Sequence, residues 1–568
     1  MKYLNKKIYL VFLLINLSLI SSEAFSKNAK LSYSQEDISN YFSGIVAMSQ
    51  NNTTSGFKYL KKINSLKNIH YNYNVQYLRS LILLNKFDEA FSFSKEIWDE
   101  EILYFDTDLL IGMKYFIEED FSNAEKHFSR LNNFTKYNLF LDDFLGNVLL
   151  GWVKASKNDR EGAFNYYEKI PDRYKKLKKI QNALLQCYFD SSTTELSFNE
   201  LMDNEEYSSR YSFFLVNYLF HKNNSIKAEE VIQKGREEFS SNLLIKQSED
   251  FVLKGKHKKV KEIFNCRNSK DSMAEILYVM ANIYSANKNY QLSNFYFNLS
   301  FFLNNKFLPN KILLAENFYN QKKFELAKKV YESVKPIGQI YSWYASIHLA
   351  IILENAADEK AATSYLVREF KKIKNPNFEN YYELANFFKD NKNYKKSVKY
   401  YSLALENIEK KHPLIPEILE RRGTSLERLG KWNEAEKDLL ESLKILPDQP
   451  YVLNYLAYTW VEKKINIEKS LDMLLKANDL RENDGFITDS VGWAYYKTGD
   501  YIKAEKFLKK AVQLMPLDPI INDHYADVLW MMEKKIQARY FWRHVLSLEE
   551  TEEELINTIE KKLIFGII

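Results

Sequence analysis

The chain has 568 residues, 80 Lys and Arg against 75 Asp and Glu, and only 15 Gly and 10 Pro. This balance leaves no basic stripe of the kind nucleic-acid binding requires, since runs such as Lys175–Lys179 have acids close by. Two cysteines without a CxxC exclude a zinc knuckle or a dithiol redox motif, and the lack of sustained period-2 alternation excludes a β-rich fold. In chain order, the first feature is a basic start (Lys2, Lys6, Lys7), an apolar run from Ile8 to Ile20 and a small-residue exit through Ser21, Ser22, Ala24 and Ser26. It reads as a secretory signal peptide over residues 1–26, cut after Ala24 or Ser26. The run is short for a membrane span, although an uncleaved N-terminal anchor is the alternative. No later segment is apolar enough to span a bilayer.

Residues 27–273 carry a loose repeat. Gly44, Ala47, Gly56 and Leu60 mark one unit, then Leu78, Leu81, Phe87 and Ala90, then Gly112, Tyr115, Phe121, Ala124 and Phe128, then Gly151, Ala163 and Tyr167, and later Ala228 and Ile232. The stretches 175–208 and 236–273 fit poorly and are predicted to be degenerate units. From 274 to 548 the repeat is regular, with unit starts near 274, 308, 343, 378, 416, 451, 485 and 519, and the one long step holds an insertion around Lys410–Pro413. A small residue recurs (Ala327, Ala435, Ala504, Ala538) with a large one four later (Tyr331, Leu439, Leu508, Trp542).

A period near 34 predicts a solenoid of about 13–15 antiparallel helical pairs, because one pair cannot bury its apolar stripe alone. The small slots let paired helices approach, the large ones fill the space between neighbours, and Pro447 and Pro516 stop helices. Cys187 and Cys266 lie about two units apart. If units touch only their neighbours, the two Cα atoms exceed the roughly 7 Å a disulfide allows, so both are expected to be separate buried thiols. Residues 549–568 are predicted to form a capping helix with Leu555, Ile559, Leu563 and Ile564 on its apolar face and acids from Glu549–Glu554 in its first turn.

Nothing in the chain carries catalytic spacing. The eight histidines form no HExxH, and no phosphate-binding glycine loop or nucleophile elbow is present. His524 follows Asp523, but adjacent residues on a helix point apart, so it is expected on the surface or groove. The poorly fitting stretches are each the size of one repeat and leave no room for a catalytic domain. The chain is therefore expected to be non-enzymatic, with no cofactor and no metal site; an enzyme with an unrecognised insert is a third reading.

The unit from Gly485, with Val491, Gly492, Tyr495, Ala504, Leu508, Ala511 and Pro516, resembles the tetratricopeptide repeat (TPR), with Thr488 where that family has Trp. The resemblance implies an all-α right-handed superhelix whose first helices (A) line a concave face. Its groove slots fall here on Arg421 and Arg428, on Tyr455, on Phe486, Asp489, Trp493, Tyr496 and Lys497, and on Asp523, Asp527 and Trp530, with His524, Glu420 and Glu462 beside them. Trp493 and Trp530 are expected to be partner anchors, the alternative being packing against the next helix A. The family's clamp for a terminal carboxylate is absent; Tyr382 and Asn386 come nearest to it. The last four units resemble exported TPR proteins of alphaproteobacteria, which implies a Gram-negative periplasm. The expected role is a scaffold for protein partners in cell-envelope assembly. A second reading is a peptidoglycan- or polysaccharide-associated factor that stacks sugars on groove aromatics.

Overall fold

The computed structural model describes residues 34–67, 69–134, 143–202, 210–238, 242–356, 358–549 and 551–567, so the predicted signal segment lies outside the described residues. All regular structure among the described residues is helical: fifteen consecutive helix pairs from Gln35–Ser49 to Lys535–Leu546, then a closing helix Glu553–Phe565. The stretches that fit the repeat poorly still hold pairs, Lys175–Tyr188 with Thr194–Met202 and Leu243–Leu253 with His257–Ile263.

Among the described residues, the turn inside the pairs repeats almost as strictly as the packing slots. The second residue past the end of helix A adopts positive φ: Asn85 (57°), Glu119 (63°), Asn223 (57°), Lys322 (59°), Lys464 (57°), Gly499 (81°) and Glu533 (62°) among others. The following N–H reaches back five residues, as from Asp500 to the Tyr495 carbonyl at 3.0 Å, which satisfies a helix-end acceptor. Asp120, Asp159, Asn289, Asn393 and Asp500 then cap helix B through their side chains. Asn, Lys and Glu occupy most of these turns, which is why a chain with so few glycines can make so many of them.

Within each pair the helices touch at the small slot. A Cβ on Gly492 would lie 2.6 Å from Leu508 Cγ, and one on Gly112 would lie 2.5 Å from the Phe128 ring. Ala327, Ala435, Ala504 and Ala538, and their large partners Tyr331, Leu439, Leu508 and Trp542, are all fully buried.

The chain divides into two compact units, 1–352 and 353–568. In the first, contacts are not confined to neighbours. The pair Ser269–Ala286 and Tyr290–Leu303 packs back onto helices Tyr71–Leu83, Leu145–Ser156 and Lys175–Tyr188. Phe302 stacks on Phe87 with centroids 4.2 Å apart, Ser156 Oγ donates to Ser269 Oγ at 2.9 Å, and Lys270 Nζ reaches the Ile117 carbonyl at 3.3 Å. This return corrects the expectation for the cysteines: Cys187 and Cys266 are disulfide-bonded, with Cα atoms 5.8 Å apart. The assumption that failed was nearest-neighbour contact, since a coiling solenoid can bring units two apart together. The return also covers earlier helices A with the chain's own side chains.

In the second unit the helix Glu359–Phe370 is followed by five pairs, from Phe378–Asp390 with Tyr394–Asn407 to Pro519–Met531 with Lys535–Leu546. The closing helix caps the last pair with Ile559 fully buried and Leu555 and Leu563 packed beside it, whereas Ile564 points outward, 69% exposed. Its first turn carries Glu553 and Glu554. Helices A begin at Gly485 and Pro519, 34 residues apart, and the closing helix begins another 34 on, at Glu553. It thus stands in the register of a helix A. Glu560, exposed, stands at the slot where a small residue would admit helix B.

Candidate functional site

Successive A helices of the second unit, Phe378–Asp390, Ile415–Arg428, Pro450–Glu462, Gly485–Lys497 and Pro519–Met531, are joined by a ladder of polar contacts. Its commonest rung links residues 35 apart, one period plus one residue. Tyr382 Oη donates to Glu417 at 2.6 Å, and Arg421 donates to Asn386 at 3.1 Å. Lys497 Nζ lies 3.4 Å from Glu462, His524 Nδ1 lies 2.9 Å from Asp489, and Lys562 Nζ lies 2.8 Å from Asp527. Shorter rungs interleave: Tyr455 Oη donates to Glu427 at 2.8 Å, and Trp493 Nε1 donates to Glu462 at 2.6 Å.

The predicted groove residues separate into two groups. Phe486 (53% exposed), Arg428 and Lys497 are open, while Arg421, Tyr455 and Tyr496 are half-buried and reach solvent. Asp489, Trp493, Asp523 and Asp527 are buried. Trp493 stacks on His524 of the next helix A, centroids 3.8 Å apart, and on Tyr496 at 4.7 Å, with Lys497 Nζ 4.6 Å from its ring. Trp530 meets Trp542 at 5.3 Å, Lys535 and Arg539 lie over it, and Gly566 packs against it so closely that a Cβ there would come within 2.2 Å. Both tryptophans are therefore engaged by this chain.

His524 is not the surface histidine expected from its place beside Asp523: it is 7% exposed and paired with Asp489 on the previous helix A. Burial, the largest single influence, pushes its pKa down, but Asp489 with help from Asp523 and Asp527 outweighs that and holds it above the usual histidine value. Asp527 is pushed up to about 6, first by burial and then by repulsion from Asp523, against the pull of Lys562. Glu420, half-buried on the same face, is also raised by burial.

Sequence reasoning missed Lys562 and Trp542 as partners of Asp523 and Asp527. Lys562 bonds both carboxylates, and Trp542 Nε1 donates to them at 3.0 and 3.1 Å. The signal was present: oppositely charged residues one period plus one apart, 462 with 497, 489 with 524 and 527 with 562. Tyr382 and Asn386, the nearest approach to a carboxylate clamp, are taken up by Glu417, Tyr401 and Arg421. Among the described residues no group of three His, Cys, Asp or Glu could hold a metal ion, and no helix is long and apolar enough to cross a membrane.

The tetratricopeptide repeat family matches residues 378–410 and 490–516. A TPR repeat-containing protein of Pseudomonas aeruginosa is 32% identical over 107 residues, covering 19% of this chain and 18% of that relative's length. Among solved structures, a tetratricopeptide repeat protein from Parabacteroides merdae is 20% identical, covering 40% of this chain and 88% of its own, with a TM-score of 0.34. A TPR protein from Thermus thermophilus is 19% identical, covering 33% and 100%, with a TM-score of 0.29.

Proposed function

From the premise that this chain is a tetratricopeptide repeat protein, we propose that it is a non-enzymatic periplasmic scaffold that binds a protein partner along the helix A face of residues 378–531, in the service of cell-envelope assembly. The observation that carries the binding reading is the ladder itself. It fixes a row of side chains from helix to helix, and it leaves Arg428, Phe486 and Lys497 open and Tyr455 and Tyr496 half-open. Such pre-ordered aromatic and cationic groups contribute affinity at low entropic cost. Export is supported by the basic and apolar start of the sequence and by the buried Cys187–Cys266 disulfide, a bond that persists in oxidising compartments. A glycan platform needs free ring faces, and Trp493, 8% exposed, offers little.

The test is substitution with a matched control on another face. Arg428→Glu with Phe486→Ala is expected to weaken capture of the partner at least tenfold without moving the melting temperature. Ile502→Ser, on an exposed helix B position (77%), leaves capture unchanged. Equal loss from both would place the binding surface elsewhere.

A further inference from the structure

Helix Pro519–Met531 presents Asp523 and Asp527 one turn apart, and all four of their carboxylate oxygens lie 2.7–2.9 Å from the Lys562 ammonium of the closing helix. Part of this clamp comes from the repeat itself, and the closing helix completes its burial. Trp542, on helix B of the same unit, donates its indole N–H to both carboxylates from another side, and the two Asp side chains are only 10% and 8% exposed. His524, between them in sequence, is already committed to Asp489. Two carboxylates held this close and out of water repel one another and call for a cation.

The helix that supplies the cation is lightly anchored. It buries only Ile559 completely, whereas helix Pro519–Met531 buries nine of its thirteen residues. Its outer face, with Glu553, Asn557, Thr558, Glu560, Lys561 and Ile564, is exposed. It covers Trp530 and both Asp side chains, the last groove slots of the array.

Resting on the reading of the helix A face as the binding surface, we infer that its acidic end is a docking site for a lysine-bearing amphipathic helix of a protein partner, occupied in cis by the closing helix until that partner displaces it. The recognition pattern is the one the resident helix displays: an apolar residue, a lysine three positions on and an apolar residue next to it, as in Ile559, Lys562 and Leu563. Charge complementarity selects lysine over an acidic or neutral residue, because only a cation relieves the Asp523–Asp527 repulsion.

The probe is a fluorescent peptide with the sequence of residues 551–567, titrated onto the full-length chain. The wild-type chain binds it weakly, since its own helix competes. Lys562→Ala in the full-length chain strengthens binding at least tenfold. A peptide carrying Lys562→Met, or a chain carrying Asp523→Asn with Asp527→Asn, loses at least that factor. Should Lys562→Ala fail to fold, Ile559→Ala loosens the same helix and takes its place. Unchanged or absent peptide binding to a folded, loosened chain overturns the inference, as does equal binding of the lysine-free peptide. Dimers formed by the wild-type chain through exchange of this helix would assign the clamp to a second copy and overturn it too. If the peptide fails while Arg428→Glu with Phe486→Ala still costs partner capture, only this docking site falls; if both fail, the groove reading falls with it.

Discussion

Gly492 shows how little room a single residue has in this fold. Its missing side chain is the space Leu508 fills, 2.6 Å from where a Cβ would stand. Gly492→Ala is expected to destabilise the second unit by about 1–3 kcal/mol, the usual cost of overpacking a closed contact, measured as a shift in denaturant midpoint. The Asp489, His524, Asp523, Asp527 and Lys562 cluster makes a different prediction. Asp527 has a folded pKa near 6, above its unfolded value, so the folded state binds the extra proton between roughly pH 4 and 6 and loses that stability as pH rises through this window. His524 is raised as well, so its contribution is present below its unfolded pKa and lost as pH rises through the folded one. Both signs agree: the C-terminal pairs melt higher at pH 5 than at pH 8. Asp527→Asn should flatten the lower part of that slope and His524→Gln the upper part. A melting temperature that rises from pH 5 to pH 8 with the wild-type residues in place, and is unmoved by either substitution, would contradict this assignment.

The elements owe their regularity to two periodic devices, the small slot and the positive-φ turn. The first was plain in the sequence, as Ala435, Ala504 and Ala538 stood at a fixed spacing from large residues. The second was concealed, because Asn, Lys and Glu hold positions where glycine would have advertised the turn. The closing helix was legible as an apolar stripe, yet its register as a further helix A was not, since Glu560 replaces the small residue that marks that slot. The disulfide was misjudged for a physical reason. Sequence spacing reports which units are neighbours along the chain, and it carries no record of how tightly the first unit coils. The bond closes a loop of 79 residues in sequence. Replacing both cysteines by alanine should therefore cost the first unit about 4.5 kcal/mol on the loop-entropy account. Native-state hydrogen exchange of helices between 194 and 263, compared with and without the bond, checks this. Unchanged protection would mean that packing alone holds that segment.

At the scale of the molecule, the two units use the same repeat to different ends. In the first, residues 269–303 return onto earlier helices A and a disulfide secures that return. In the second, the A helices keep an open row between Arg428 and Lys497, and only the last slots are covered by the closing helix. The repeat and its resemblance were legible in most of the chain. The groove residues were legible only as positions, because the period says which side chains share a face and not which of them partner one another. Trp493 illustrates the gap: its slot was right for a groove, but His524 on the next helix A takes its ring face. The central claim is that the open A-helix row is the surface that meets a partner. It is tested most directly by placing a photocrosslinking amino acid at Phe486 and, separately, at Ile502 in living cells. The account predicts a discrete protein adduct from Phe486 and none from Ile502; adducts from Ile502 alone, or equally from both, would contradict it.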